Sequence, residues 1–362
     1  VLIFQAIFAF ILTFFISYFV TFLTYRFFIH HGWVEDPAIK QQKTANATAL
    51  TPVPRGGGIP VFFSILLTCL IFLPLDAHLI GILLGALVTL LIGLWDDLKD
   101  ISPKTRLFFN FVVAALVVAS GIGIAYLSSP FGGILDLSSW QIHFNFFGPR
   151  SIWVIPDTLA ILWIVWCMNT VGWSAGVEGQ LPGFVAISAF FISLLGLRYS
   201  ADITQWPVIF LALAVCGAFF GFLPFNFYPQ KIMPGYSGKS LAGYYLAVLA
   251  ILSGAKLATV ILLLGIPMLD AVYVLTRRLI FHRSLLTPNN IHLHHQLLRL
   301  GWSRPQIALF YWILSLILGS TSLFLSSRQK FYVFLGLALV FFSFALRLSR
   351  RISQISTPSP HS

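Results

Sequence analysis

Eleven long apolar runs divide this chain, at about 3–26, 58–75, 78–95, 107–127, 155–170, 182–197, 206–225, 241–253, 256–275, 306–324 and 331–347. About 20 consecutive apolar residues cross a hydrocarbon core. No backbone polar group can go unpaired there, so such runs must close their hydrogen bonds internally, as helices. The composition agrees: 58% of residues are hydrophobic and only 9% charged, against about 25% charged in soluble domains. The reading is an all-α polytopic membrane protein with about ten to eleven transmembrane helices. The fifth, sixth and eighth runs are the shortest. Residues 1–351 read as a single membrane domain and 352–362, ISQISTPSPHS with its two prolines, as a disordered tail. The first run is too long for a signal-peptide core and no small-residue cleavage site follows it, so it reads as a retained helix.

Eleven spans put the termini on opposite sides, and basic loops orient them. One set of loops carries 17 Lys and Arg, the other 5. The rich side is expected to be cytoplasmic, with the C-terminus inside and the N-terminus outside. The net charge of +11 is dispersed among short loops, which argues for this topology signal and against nucleic-acid binding. On the outer side, ILDLSSW and QIHFNFF alternate polar and apolar residues and predict one small β-hairpin. Cys69, Cys167 and Cys216 are isolated in apolar runs and read as packed thiols.

Five polar segments fall on the basic side. The first carries Arg55 before Gly56, Gly57 and Gly58; the glycines let backbone approach a ligand or another helix, and Arg55 suits a phosphate. The second, WDDLKDISPKTRLFFN, holds Asp96, Asp97, Lys104 and Arg106. Adjacent carboxylates are informative in a chain with 11 acids, because they are costly in lipid and suit a metal ion at its edge. Charges pairing among themselves in a solvated turn is the bland alternative. Within this segment Ser102 and Pro103 predict a helix start. The third segment has Asn169, Gly172 and Glu178 in a glycine-punctuated loop. The fourth, PFNFYPQKIMPGYSGKSLAG, has Asn226, Tyr236 and Lys239. Its GYSGKS lacks the upstream glycine of a P-loop, but a turn opening a helix offers N–H groups to an anion. The fifth has Arg278, His292, His294 and His295. On a helix His292 and His295 share a face while His294 lies apart. With no Cys and no HExxH, phosphate binding is favoured over zinc.

In this order the segments resemble the polyprenyl-phosphate N-acetylhexosamine-1-phosphate transferases, glycosyltransferase family 4. The matching pieces are Asp36–Gly58, WDDLKDISPKTRL, FNFYP, PMLD at Pro267–Asp270, and HLHHQLLRLG. HLHH looks more like the undecaprenyl-phosphate N-acetylglucosamine branch than the muramoyl-pentapeptide branch. The resemblance implies an enzyme of the bacterial cytoplasmic membrane, with its active site on the cytoplasmic side. A UDP-N-acetylhexosamine would pass its phospho-sugar to polyprenyl (undecaprenyl) phosphate in the lipid bilayer, releasing UMP in cell-envelope glycan synthesis. It further implies Mg²⁺, with Mn²⁺ as a substitute, and a homodimer. Asp96, Asp97, Glu178 and His294 would be catalytic, the three acids holding the metal. Arg55, Lys104, Arg106, Asn169, Asn226, Lys239, Arg278, His292 and His295 would bind substrate.

The chain departs from the pattern NxxNxxDGxDGL at Gly172, Ala175 and Glu178, and from GDxGS at Tyr236 and Lys239. Arg106 and Asn110 stand where it has Lys and Gln. A rearranged active site therefore stays beside two alternatives. One is a catalytically inactive relative that binds polyprenyl phosphate or scaffolds a glycan-assembly complex. The other is a transporter, which should show an internal repeat; none is visible.

Overall fold

A computed structural model describes residues 1–38, 51–129, 131–145, 149–253, 257–282, 284 and 291–356. Its helices are α1 (Leu2–His30), α2 (Gly58–Phe72), α3 (Ala77–Lys99), α4 (Pro103–Ala119), α5 (Val154–Trp173), α6 (Gln180–Arg198), α7 (Gln205–Asn226), α8 (Gly235–Leu252), α9 (Leu257–Leu263), α10 (Gly265–Ile280), α11 (Leu293–Arg299), α12 (Arg304–Phe324) and α13 (Ser327–Ser356). Every apolar run of the sequence lands on a helix. Among the described residues seven helices are long and apolar enough to cross a membrane, and α9 with α10 makes an eighth if that bent pair is one span. The expected ten to eleven spans come down to seven or eight by that measure. The run at 58–75 yields only the 15 residues of α2, about 22 Å of helix. The run at 107–127 lies mostly in α4, which includes Lys104, Arg106 and Asn110. The run at 241–253 lies in α8, which opens on Gly-Tyr-Ser-Gly-Lys-Ser.

The run at 256–275 was expected as one continuous span and is broken instead, by 73° between α9 and α10. Pro267 sits in the first turn of α10. It has no N–H to give Leu263, and its ring would clash with that carbonyl if the helix ran straight.

The outward surface confirms the class. On α1, Phe4, Phe8, Phe15 and Phe19 are more than half exposed, an apolar face far beyond what a soluble monomer shows water. Its inner face is Ala6, Ala9, Thr13, Ser17, Thr21 and Thr24, a stripe of small residues. That stripe packs on α7. A Cβ at Gly217 or Gly221 of α7 would run into α1 backbone at Phe10 and Phe14, and Ser17 Oγ donates to the Ala218 carbonyl at 2.6 Å. Close backbone approach through small residues is how helices associate in lipid.

At the centre lies α8, buried almost throughout and flanked by α3 and α5. Two more links fix its start. The strands β1 (Val34–Glu35) and β2 (Val53–Pro54) pair antiparallel, Glu35 opposite Val53. The chain after β2 then bridges Met233, with Met233 N donating to Pro54 O and Gly57 N to Met233 O.

The expected hairpin is two hairpins. Strands β3 (Tyr126–Ser128) and β4 (Ile134–Asp136) pair with each other, and β5 (Gln141–Asn145) pairs with β6 (Pro149–Trp153). QIHFN pairs with the strand that follows it, and ILD with the strand that precedes it. Helix α13 continues through Ser356, five residues into the tail read as disordered; residues 357–362 lie outside the described residues, as do Lys40, Lys43 and Arg283.

Candidate active site

The first turn of α8 is the point on which the polar segments converge. Asp97, at the end of α3, caps it. The Asp97 carboxylate accepts from Tyr236 N at 2.6 Å, Ser237 N at 3.2 Å and Ser237 Oγ at 2.6 Å. A helix N-terminus with its unpaired N–H groups and positive dipole attracts an anion; here the anion belongs to the chain itself. Gly235 makes the approach possible. Its φ is +65°, and a Cβ there would lie against the Asp97 carboxylate.

Asp96 faces the other way round the same helix end. Its Oδ1 accepts from Arg106 Nε at 2.7 Å and Ile101 N at 3.0 Å. Asp96 Oδ2 is buried without a hydrogen bond among the described residues. Asp100, left-handed with φ 48°, ends α3. Ser102 then caps α4 with Pro103 in its first turn, as the sequence indicated. That turn swings Arg106 back onto Asp96. Tyr236 fills the remaining room, its hydroxyl donating to Asn110 Oδ1 at 3.1 Å and its ring lying 5.1 Å beneath the Arg106 guanidinium. Lys104 is exposed on α4.

Arg55 lies among four acids: Asp100 at 2.8 Å, Glu35 at 3.2 Å, Asp97 at 3.4 Å and Asp96 at 3.7 Å. Burial acts to lower its pKa, but Asp97, Glu35 and Asp100 outweigh burial and raise it above the ordinary value. Arg55, expected from sequence to suit a phosphate, meets this carboxylate cage. Glu35 was not foreseen as a partner, since only the β1–β2 ladder brings it there.

A second cluster lies on the far side of α8. A Cβ on Gly172 would touch Lys239 Cβ at 3.7 Å, and Lys239 is close enough to His294 to depress its pKa. His292 precedes α11 as its N-cap, so it escapes the helical spacing. Its ring stacks parallel on His294 at 5.7 Å, and His294 meets His295 at 4.2 Å. The expected separation of His294 from His292 therefore does not hold. His294 is buried against Gly176, where any Cβ would overlap the ring. Burial first, then His295, His292 and Lys239, hold its pKa well below the usual imidazole range. Burial, His292 and Arg299 push His295 down to about 4, against the opposing pull of Asp270. His294 Nδ1 has no hydrogen-bond partner among the described residues.

Asp270 was not singled out as a site residue, although PMLD contains it. Buried in α10, it pairs with His292 Nδ1 at 2.8 Å and accepts from Leu293 N at 2.8 Å, so it both orients His292 and starts α11. A lone acid inside an apolar run was the available signal.

Glu178 is not with the aspartates. Arg304 Nη1 donates to both its oxygens, at 2.7 and 2.8 Å, with Gln230 at 3.5 Å. Asn226 is a structural clamp: it accepts from Gly179 N at 3.1 Å and donates to Ile232 O at 2.9 Å. Asn169 donates back to Val165 O at 2.7 Å. Arg278 is buried on α10. Among the described residues no three His, Cys, Asp or Glu side chains come together as metal ligands. The expected trio of Asp96, Asp97 and Glu178 is divided because Arg304 claims Glu178 and α8 claims Asp97. The donor set thus does not fit a divalent ion resident on these three acids.

Residues 79–254 match the family model described as Glycosyl transferase family 4. Over 296 residues the chain is 25% identical to the "Probable undecaprenyl-phosphate N-acetylglucosaminyl 1-phosphate transferase" of Bacillus subtilis, covering 80% of this chain and 77% of that one. It is 28% identical over 326 residues to the "Decaprenyl-phosphate N-acetylglucosaminephosphotransferase" of Mycobacterium tuberculosis, with the same coverage. It is 24% identical over 301 residues to the "Phospho-N-acetylmuramoyl-pentapeptide-transferase" of Bacillus licheniformis, covering 80% of this chain and 87% of that one. Residues 79–254 thus carry a glycosyl transferase family 4 region, and the chain is a distant homologue of these polyprenyl-phosphate sugar-1-phosphate transferases.

Proposed function

We propose that the chain transfers phospho-N-acetylhexosamine from a UDP-sugar to membrane polyprenyl phosphate. An oxygen of the lipid phosphate attacks the β-phosphorus; the bond to the α-phosphate breaks, and UMP leaves with that oxygen. The observation that carries this reading is the meeting of all five polar segments around the start of α8. Arg55, Gly57 and Gly58 pack there from the first, Asp97 from the second, Gly172 from the third, the helix itself from the fourth, and His294 lies beside Lys239 from the fifth.

Phosphoryl transfer depends chiefly on position and charge neutralisation. The acceptor phosphate, with a second pKa of about 6, is mostly dianionic at neutral pH, so no strong base is needed. Lys239, His292 and His295 hold the diphosphate, with Arg278, Asn169 and Lys104 toward the rest of the nucleotide sugar. Asp96 and Asp97 act by positioning α8. The site faces the cytoplasm, where UDP-sugars are found. Tyr236, standing where the family pattern has an acid and satisfied by Asn110 and Arg106, favours a second reading, an inactive binder of polyprenyl phosphate.

The test is UMP release by detergent-purified protein given undecaprenyl phosphate, UDP-N-acetylglucosamine and Mg²⁺. Release should need the lipid and fall at least tenfold in Lys239→Ala, which leaves the Asp97 cap intact. No release with several UDP-sugars, while lipid phosphate still binds, would give the second reading the better case.

A further inference from the structure

The two carboxylates at the end of α3 meet their positive charge from within the chain. Asp97 has no lone pair to spare. A carboxylate offers about four acceptor positions. Oδ1 takes Tyr236 N and faces Arg55 Nε; Oδ2 takes Ser237 N and Ser237 Oγ. Asp96 Oδ1 takes Ile101 N and Arg106 Nε. One oxygen remains, Asp96 Oδ2. It is buried without a hydrogen bond among the described residues and faces Arg55 Nη2 at 3.7 Å.

A Mg²⁺-type ion demands near-octahedral oxygen ligands at about 2.0–2.1 Å. Here it would find one oxygen, in a space a guanidinium already fills. Arg55 cannot swing away freely, because the β1–β2 ladder and the Met233 bridge hold its backbone and Glu35 and Asp100 hold its other face. No third carboxylate comes from α8, since Tyr236 is there instead and lies under Arg106. The inner charges also close: Arg55 and Arg106 stand against Asp96 and Asp97.

We propose that Arg55 is the resident cation of the Asp96–Asp97 pair, so that the substrate-free protein takes no divalent ion there. Arg55 is then a positioning residue. It neutralises Asp97, which caps α8, together with its neighbour Asp96, and with them it sets the angle at which that helix presents Lys239.

The experiment is Mn²⁺ binding to purified full-length protein, by electron paramagnetic resonance, with no nucleotide and no lipid phosphate. Wild type should bind no stoichiometric Mn²⁺ that Asp96→Asn removes. Arg55→Met, which keeps the stem and drops the charge, should gain one Mn²⁺ per chain and lose it again when combined with Asp96→Asn. Arg55→Lys, keeping a charge, should gain none. One Mn²⁺ on wild type that Asp96→Asn abolishes overturns the proposal, and so does a folded Arg55→Met that binds none. Arg55→Gln serves the same arm if Arg55→Met fails to fold. Turnover enters neither outcome, so a failure of the transferase reading would leave this result standing.

Discussion

Replacing Asp97 by asparagine should loosen the start of α8 without touching its packing. Asparagine has one acceptor oxygen, so it can keep Tyr236 N, whereas its amide would face the Ser237 N–H, donor against donor. The charge-assisted bonds to Ser237 N and Oγ are worth roughly 1.5–3 kcal/mol each when the acceptor is ionised. The dipole interaction adds up to about 2 kcal/mol in a partly buried geometry. Arg55 loses one partner but keeps Asp96, Asp100 and Glu35, so little further loss is added there. The net is about 4 kcal/mol, in the range for breaking a buried pair. At about 2 °C per kcal/mol for a chain of this size, Tm should fall by roughly 8 °C. Thermal unfolding in detergent, followed by tryptophan fluorescence, reads this directly. A shift under about 2 °C, no larger than that of the exposed Lys104→Ala, would refute the capping argument.

Gly176→Ala should cost about 1–3 kcal/mol as overpacking and abolish UMP release, because its Cβ would displace the His294 ring; Gly336→Ala, which meets nothing within 4 Å, should leave both unchanged. Glu178→Gln should destabilise more than the double variant with Arg304→Met, since the single change takes the carboxylate charge away from a partly buried guanidinium; a cycle coupling of about 1–3 kcal/mol is expected, and a coupling near zero would count against the pair. The histidines predict a pH dependence. The His295 pKa falls from 6.5 to about 4 on folding, so below pH 6.5 the unfolded chain takes up the proton first. Its contribution is complete above 6.5 and is lost as pH falls toward 4. The Tm difference between pH 7.5 and pH 5 should therefore be smaller in His295→Gln than in wild type; an equal or larger difference would overturn this.

The class of this protein was settled by its apolar runs, because lipid leaves a chain no alternative to internal hydrogen bonding. The Ser102–Pro103 helix start was equally legible, being a local cap. The site was legible as a set of segments and illegible as a geometry. Nothing local pairs Glu35 with Arg55 across a two-residue ladder, or sends Glu178 to Arg304, 126 residues away. Residue types announced a phosphate or metal site; which charge meets which was decided by tertiary approach, since a buried charge takes the nearest partner that folding supplies. Asp97 shows the division most clearly. The sequence by itself placed a costly carboxylate at the end of a membrane helix. Only the packing of α3 beside α8 determined that its partners would be two backbone N–H groups, a serine hydroxyl and an arginine.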